Sequence, residues 1–115
     1  MLRDWPFDDH AAKELMPLSR LYEIDSKWIL EIDLPMVNKE GITVNLTSSH
    51  IVITAKLEKT YCVSRLSGMR EYNYFKKVSP LPPDMDQEKI SAKFSNGILT
   101  ISMPKVLSGK EIRVD

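Results

Sequence analysis

The chain is poor in the residues that catalysis and metal binding most often use. It has one cysteine, Cys62, and two histidines, His10 and His50, and neither histidine has a cysteine or carboxylate at the spacing of a metal site. Its four glycines are scattered, so there is no glycine-rich loop to hold a phosphate group. We therefore expect no metal, no cofactor and no catalytic constellation, and we interpret Cys62 as an incidental thiol that could be linked across a dimer.

The chain also lacks an excess of either charge and any long apolar run. Sixteen basic and sixteen acidic side chains give a formal net charge of zero, which disfavours nucleic-acid binding. No apolar run approaches the roughly 18 residues that would suggest a membrane-spanning helix. The N-terminal residues do not show the basic-then-apolar order of a signal peptide, and a lone cysteine cannot form an intramolecular disulfide. We expect a cytoplasmic protein with no nucleic-acid or membrane partner.

What the sequence does contain is apolar residues that alternate with polar ones at a period of two. This period predicts strands with one face on a core. The alternating segments are residues 28–34, 42–47, 51–57, 74–78, 90–95 and 98–103. Short strands separated by polar turns at this spacing predict an all-β fold, a β-sandwich.

The last two of these segments form the most informative part of the chain. Asn96-Gly97 lies between them, and this dipeptide readily takes the positive φ values of a two-residue hairpin turn. Pro104 should end the second strand, because proline cannot donate a hydrogen bond to a sheet. We therefore predict a hairpin that is turned at residues 96–97.

This hairpin resembles the signature A-x-x-x-n-G-v-L of the α-crystallin domain of small heat-shock proteins. The matching residues are Ala92, Asn96, Gly97 and Leu99, followed by Pro104-Lys105. Leu81-Pro82 stands ten residues before Ala92, as in the family. Residues 28–35 followed by Lys39-Glu40 resemble an early family strand with its downstream element P-G-x-x-k-e, and Met36-Val37 stands where the glycine of that element is expected.

The resemblance covers roughly residues 18–114 and implies an immunoglobulin-like β-sandwich at residues 18–105. An N-terminal arm, residues 1–17, would precede the sandwich. Asp8 or Asp9 is a possible cap for a short helix through Met16, which Pro17 would stop. So short a helix must pack on its own domain or on a neighbouring subunit. In the family such arms contact other subunits or non-native proteins, and the apolar candidates here are Trp5, Phe7, Leu15 and Met16.

A C-terminal tail, residues 106–115, would follow the sandwich. Ile112 and Val114 resemble the family's I-x-I/V motif and point the same way if the tail is extended. The motif would insert into an apolar groove of another subunit, although a plain terminal strand is the alternative. The resemblance implies a groove lined by Ile42, Val44, Leu46, Ile90 and Ala92, which are otherwise simply core residues.

Residues 57–73 form a charged segment that is long for a hairpin loop, and such loops are usually functional or partly structured. In archaeal, bacterial and plant family members this segment mediates dimerisation by strand exchange. The implied exchange residues are Tyr61, Cys62, Val63, Ser64, Arg65 and Leu66. They would pair with residues 18–22 of the partner subunit.

The resemblance implies an ATP-independent holdase, which is a chaperone that binds unfolding proteins without refolding them. Its partners would be non-native client proteins and further copies of itself. Two alternatives stay open at this point. One is an adaptor or co-chaperone sandwich that docks to one folded partner, and the other is a small enzyme, which the missing constellation disfavours.

Overall fold

The computed structural model describes residues 14–65, 68–106 and 114–115 of the chain. These residues form eight strands and a three-residue 3-10 helix, Gln87–Lys89. The strands are β1 (Glu14–Leu15), β2 (Ser19–Ile24), β3 (Lys27–Asp33), β4 (Val37–Leu46), β5 (His50–Arg65), β6 (Gly68–Pro80), β7 (Ser91–Ser95) and β8 (Ile98–Pro104). The all-β prediction is confirmed, and each alternating segment of the sequence lies largely within a strand.

The strands form two four-stranded sheets. The first has the order β1-β6-β5-β4 and the second has the order β2-β3-β8-β7. All pairings are antiparallel except the short parallel one between β1 and β6. The buried aliphatic residues of both sheets form one core, with Ile32, Ile51, Ile53 and Ile101 completely shielded from solvent. The two sheets are therefore held together by the branched aliphatic side chains that pack between them.

The hairpin between β7 and β8 forms as predicted. Ser95 pairs with Ile98, so the turn is the two residues between them. Asn96 has a φ of 53° and Gly97 a φ of 78°, and two positive φ values are what a type I′ turn requires. The turn is also joined to the end of β3, because the Gly97 carbonyl accepts a 2.8 Å hydrogen bond from the Leu34 amide.

The expected helix through Met16 is wrong for the residues that the structure describes. Glu14 and Leu15 are extended and pair in parallel with Tyr74 and Phe75 of β6. Leu15 is half-buried and packs against the core, which a strand at the sheet edge permits. The preceding part of the expected helix lies outside the described residues, as do Trp5 and Phe7.

Residues 57–73 are not a loop. They are the outer half of one long hairpin formed by β5 and β6, in which Tyr61 pairs with Tyr72 and Arg65 pairs with Gly68. A register shift between Lys56 and Tyr61 separates this outer half from the part inside the sandwich. We call residues 58–73 the hairpin arm; residues 66 and 67, between its two strands, lie outside the described residues.

Met36 lies in a backbone conformation that favours glycine. Its φ is 61°, in the left-handed region, and this is the position where the family resemblance expects glycine. A side chain with a Cβ is strained there by about 1–2 kcal/mol relative to the right-handed region. The turn is held in spite of that strain, because the Met36 carbonyl accepts a 2.8 Å hydrogen bond from the Glu58 amide.

Replacing Met36 with glycine should therefore stabilise the protein by about 1 kcal/mol, measured as the free energy of urea unfolding. Met36 is 52% exposed, so little burial is lost. The control is Met69→Gly, at a 67% exposed methionine within a strand, which should destabilise slightly. A Met36→Gly variant no more stable than the wild type would contradict the assignment of strain to this turn.

Candidate functional site

The predicted groove residues of the first sheet lie on its outermost strand, β4. Ile42, Val44 and Leu46 pair across the sheet with three residues whose side chains are completely buried, Ala55, Ile53 and Ile51 respectively. Directly opposed residues share a face, so the three β4 side chains also face the core. Ile42 and Val44 are nevertheless only half-buried, and Leu46 remains 41% exposed. The sandwich is therefore open along this edge.

The predicted groove residues of the second sheet behave in the same way. Ala92 lies on the edge strand β7 and pairs with the fully buried Ile101, yet Ala92 itself is exposed. Ile90 precedes the strand and is half-buried against the core. Ile42, Val44 and Ile90 therefore pack against the core, whereas Leu46 and Ala92 are accessible. That these five residues line a docking groove for the tail stays a prediction.

Half of the predicted tail motif is described. Val114 is 90% exposed, so in the single chain it does not pack into its own sandwich. Ile112 lies outside the described residues. The interpretation of Val114 as a buried residue of a terminal strand in the same domain therefore finds no support in the described contacts.

The hairpin arm presents an open backbone edge. Strand β4 stops pairing with β5 at Val37 opposite Leu57, and no described strand pairs with that side of β5 further out. A cross-strand aromatic pair, Tyr61 and Tyr72, braces the arm with ring centroids 6.3 Å apart. Cys62 is exposed within the arm as a free thiol. In the sequence, the alternation of Tyr61 and Val63 with polar residues is the signal that favours strands here over a loop.

The second sheet has an open edge at β2, the segment expected to receive the arm of a partner. Within the described residues β2 pairs only with β3. Leu21 lies opposite Leu30, which is 1% exposed, but Leu21 itself is 43% exposed. Just before β2, Leu18 is 77% exposed and Met16 is 79% exposed. An apolar, unpaired strand edge is therefore available at this side of the sandwich.

A polar cluster on the outer face braces β2 against β3. Glu31 accepts hydrogen bonds from the Arg20 guanidinium and from the Tyr22 hydroxyl, each at 2.9 Å. The Arg20 guanidinium also lies over the Tyr22 ring, 4.9 Å from its centroid. These contacts join the side chains of β2 to those of β3 on the strand that would pair with a further strand.

The same contacts set the protonation of the cluster. The hydrogen bond from Arg20, followed by that from Tyr22, lowers the pKa of Glu31 below its usual range. The hydrogen bond to Glu31 raises the pKa of Tyr22. A carboxylate with a lowered pKa stabilises the folded state above its ordinary pKa, and that stabilisation is lost as the pH falls through the lowered value.

Potential metal ligands are not clustered in the described part of the chain. Among residues 14–65, 68–106 and 114–115, no three histidine, cysteine, aspartate or glutamate side chains lie close enough together to hold a metal ion. His50 is half-buried at the start of β5, where its Nδ1 atom lies 2.8 Å from the Ser49 hydroxyl. No helix in the described part of the chain is long and apolar enough to cross a membrane. The candidate site consists of the open edges of the two sheets.

Comparisons of sequence with known proteins identify relatives. The chain is 32% identical over 114 residues to small heat shock protein C2 of Rickettsia felis, covering 96% of this chain and 74% of that protein. It is 31% identical over 99 residues to heat shock protein 16 of Schizosaccharomyces pombe, covering 81% of this chain and 68% of that protein.

Solved structures with the same architecture are also small heat-shock proteins. The fold superposes on a small heat-shock protein from Xylella fastidiosa with a TM-score of 0.70 and 26% identity, over 88% of this chain and 95% of that one. Heat shock protein 16.0 from Schizosaccharomyces pombe gives a TM-score of 0.67 and 26% identity, over 89% of this chain and 77% of that one.

The match to a protein family covers most of the chain, from residue 21 to residue 115. It spans both sheets, the hairpin arm and the tail. The protein belongs to the Hsp20/alpha crystallin family.

Proposed function

We propose that the protein is an ATP-independent holdase that binds unfolding proteins in the cytoplasm and slows their aggregation. Family membership supports a chaperone role. The observation that carries the proposal is that core-facing apolar residues remain exposed along the edges of the sandwich, including Leu21, Leu46 and Ala92. Such edges are surfaces that need a partner.

The mechanism is a competition for apolar surface and for backbone hydrogen bonds. An unfolding protein exposes apolar segments and unpaired strands, which otherwise associate with each other. The edges of this sandwich offer the same two kinds of contact. In the proposed assembly other subunits cover them, and dissociation on heating uncovers them for a client. The exposed Met16 and the apolar residues Trp5 and Phe7 would add flexible contacts.

The building block would be a dimer formed by strand exchange. The open β5 side of the hairpin arm has unpaired backbone groups, and β2 has an unpaired edge with exposed apolar side chains. Pairing the arm of one subunit with β2 of the other satisfies both edges by addition of a strand to a sheet. Residues 61–66 are the proposed exchange residues and residues 18–22 of the partner subunit are their proposed acceptor.

Larger assemblies would form through the tail. The high exposure of Val114 leaves that side chain available to a second subunit. Each of Ile112 and Val114 contributes about 1.5–3 kcal/mol if fully buried, less the cost of ordering the tail. Contacts of this size permit exchange of subunits, which the mechanism requires. The related Xylella fastidiosa protein has a distinct high order structure, which supports assembly beyond the dimer.

The proposal is tested by heating a client enzyme that aggregates, with and without an equimolar amount of this protein, and following light scattering. We expect suppressed scattering that is unaffected by ATP and magnesium, because the binding edges need no nucleotide. Serum albumin at the same concentration is the control for unspecific protection. Unchanged client aggregation, or hydrolysis of ATP by the pure protein, would contradict the holdase assignment. A folded monomer that binds one native partner would favour an adaptor.

Shortening the hairpin arm should produce folded monomers. Replacing residues 60–70 with Asn-Gly removes the exchange residues and supplies a turn that a hairpin accepts. The core lies in the part of the hairpin inside the sandwich, so the thermal unfolding transition should persist while light scattering after size exclusion reports a monomer. Met69→Ala is the control, because Met69 is an exposed arm residue outside the proposed exchange residues; the change leaves the backbone edge in place and should still dimerise. A dimeric shortened variant would refute strand exchange through the arm.

Replacing Ile112 and Val114 together with alanine should dissolve assemblies larger than the dimer. The change removes about 3–6 kcal/mol of potential burial per tail at most, repeated in every subunit, but leaves the sandwich intact. Native mass spectrometry should therefore show dimers with a nearly unchanged melting temperature. The matched control is Glu111→Ala with Arg113→Ala, which keeps the net charge and alters the alternate side of the tail. Loss of the fold would place the motif in the core, and full assembly would assign association to the N-terminal arm.

A further inference from the structure

A cluster of four side chains from three parts of the chain surrounds the end of β8. The Lys105 ammonium group forms an ion pair with the Glu23 carboxylate, lies 3.9 Å from Asp84 Oδ2 and lies 5.4 Å from the centroid of the Trp28 ring. The Trp28 indole Nε1 donates a 2.9 Å hydrogen bond to Asp84 Oδ1. We call Glu23, Trp28, Asp84 and Lys105 the exit clamp. None of these contacts is predicted by the alternation pattern.

The backbone is held at the same point from two sides. The Lys105 amide donates to the Ser26 carbonyl in the turn between β2 and β3 at 2.9 Å. The Val106 amide donates to the Asp84 carbonyl at 2.7 Å, and the Asp86 amide donates to the Pro104 carbonyl at 2.8 Å. The chain is thus tied to the sandwich through Val106, one residue beyond the predicted domain boundary.

The position of this tie matters because the tail is short. Six residue steps separate Val106 from Ile112, so the motif begins at most about 20 Å from the tie even when the chain is fully extended. When a linker is barely long enough to join two sites, moving its starting point prevents the attached motif from reaching the second site. The effective concentration of the motif at that site then falls almost to zero. The direction of the chain at residues 105–106 therefore limits which groove the motif can enter.

The clamp is better suited to setting direction than to stabilising the sandwich. The Lys105 side chain is only 25% exposed, while its carboxylate partners are 45% exposed at Glu23 and 43% exposed at Asp84. Ion pairs with this much solvent contact contribute little to folding. They still favour one direction of the backbone at Lys105, because the ring of Trp28 and two carboxylates contact the same ammonium group.

We propose that Lys105 is a positioning residue for assembly: through the exit clamp it fixes the direction of the chain at residues 105–106, where the tail begins, and so selects the neighbouring subunit that Ile112 and Val114 reach. This inference rests on the proposed function of the tail. It assigns to Lys105, Asp84 and Glu23 a role in the geometry of the oligomer and not in binding clients.

The test compares Lys105→Met with Lys105→Arg in the full chain. Methionine keeps an apolar stem near Trp28 but loses the charge, whereas arginine keeps both the charge and the contact with the ring. We expect Lys105→Met to raise the dimer concentration needed for larger assembly by roughly tenfold, and Lys105→Arg to restore assembly. Lys27→Met, at an exposed lysine opposite Pro104, is the matched control and should assemble normally. Dimer melting temperatures should stay close to that of the wild type.

Lengthening the tail distinguishes a role of Lys105 in the direction of the chain from a role in the stability of the fold. Inserting Gly-Ser-Gly-Ser between Val106 and Leu107 should make assembly insensitive to Lys105→Met, because a longer flexible chain reaches the groove from either exit direction. If Lys105→Met weakens assembly equally in the lengthened chain, or lowers the dimer melting temperature markedly, Lys105 is a structural residue and the inference is wrong.

The remaining outcomes distinguish this inference from the proposed function of the tail. If Lys105→Met assembles like the wild type while the Ile112→Ala, Val114→Ala variant does not, the clamp has no role in assembly and the tail keeps its function. If that double alanine variant assembles fully, the tail function is wrong and the inference about Lys105 fails with it.

Discussion

The packing of two sheets through one aliphatic core is the constraint on which the rest of the structure depends. Buried isoleucines of both sheets, such as Ile53 and Ile101, hold the layers together. A two-layer sandwich differs from a closed barrel because every sheet keeps two edges. In this chain the core-facing residues at several edges stay accessible, as Leu46 and Leu21 do. The proposed binding surfaces therefore follow from the two-sheet architecture, which leaves core-facing residues accessible at the sheet edges.

The hairpin arm shows how this architecture favours association. The inner half of the β5–β6 hairpin is part of a sheet, whereas its outer half, the arm, is a two-stranded ribbon whose β5 side is open within the described residues. An isolated two-stranded hairpin is marginal in water, so the ribbon gains from a further strand. The Tyr61–Tyr72 pair and the bulge between Lys56 and Tyr61 maintain the ribbon without closing its edge. The same architecture thus combines a well-packed core with strand edges that can pair with another strand.

Two local features depend on contacts from other parts of the chain. Met36 keeps the left-handed turn that glycine normally provides, held by the hydrogen bond from the Glu58 amide. At the other end of the sandwich, Lys105 joins Glu23, Asp84 and Trp28 at the point where the tail begins. The first feature lies between β3 and β4 and the second follows β8, so a change in backbone direction at either point moves the segment that comes after it.

The sequence alone determined six strand segments, the turn at Asn96-Gly97, the all-β class and the family, because period-two alternation and turn chemistry are local properties. It also placed Ile42, Val44 and Leu46 on one face. Only the tertiary structure decided that residues 57–73 continue β5 and β6, since strand pairing depends on register over long separations. It also showed Glu14–Leu15 as a strand against β6, where a local helix signal yields to pairing at the sheet edge. The exit clamp depends on the fold for the same reason, because Trp28 and Asp84 are 56 residues apart in the chain.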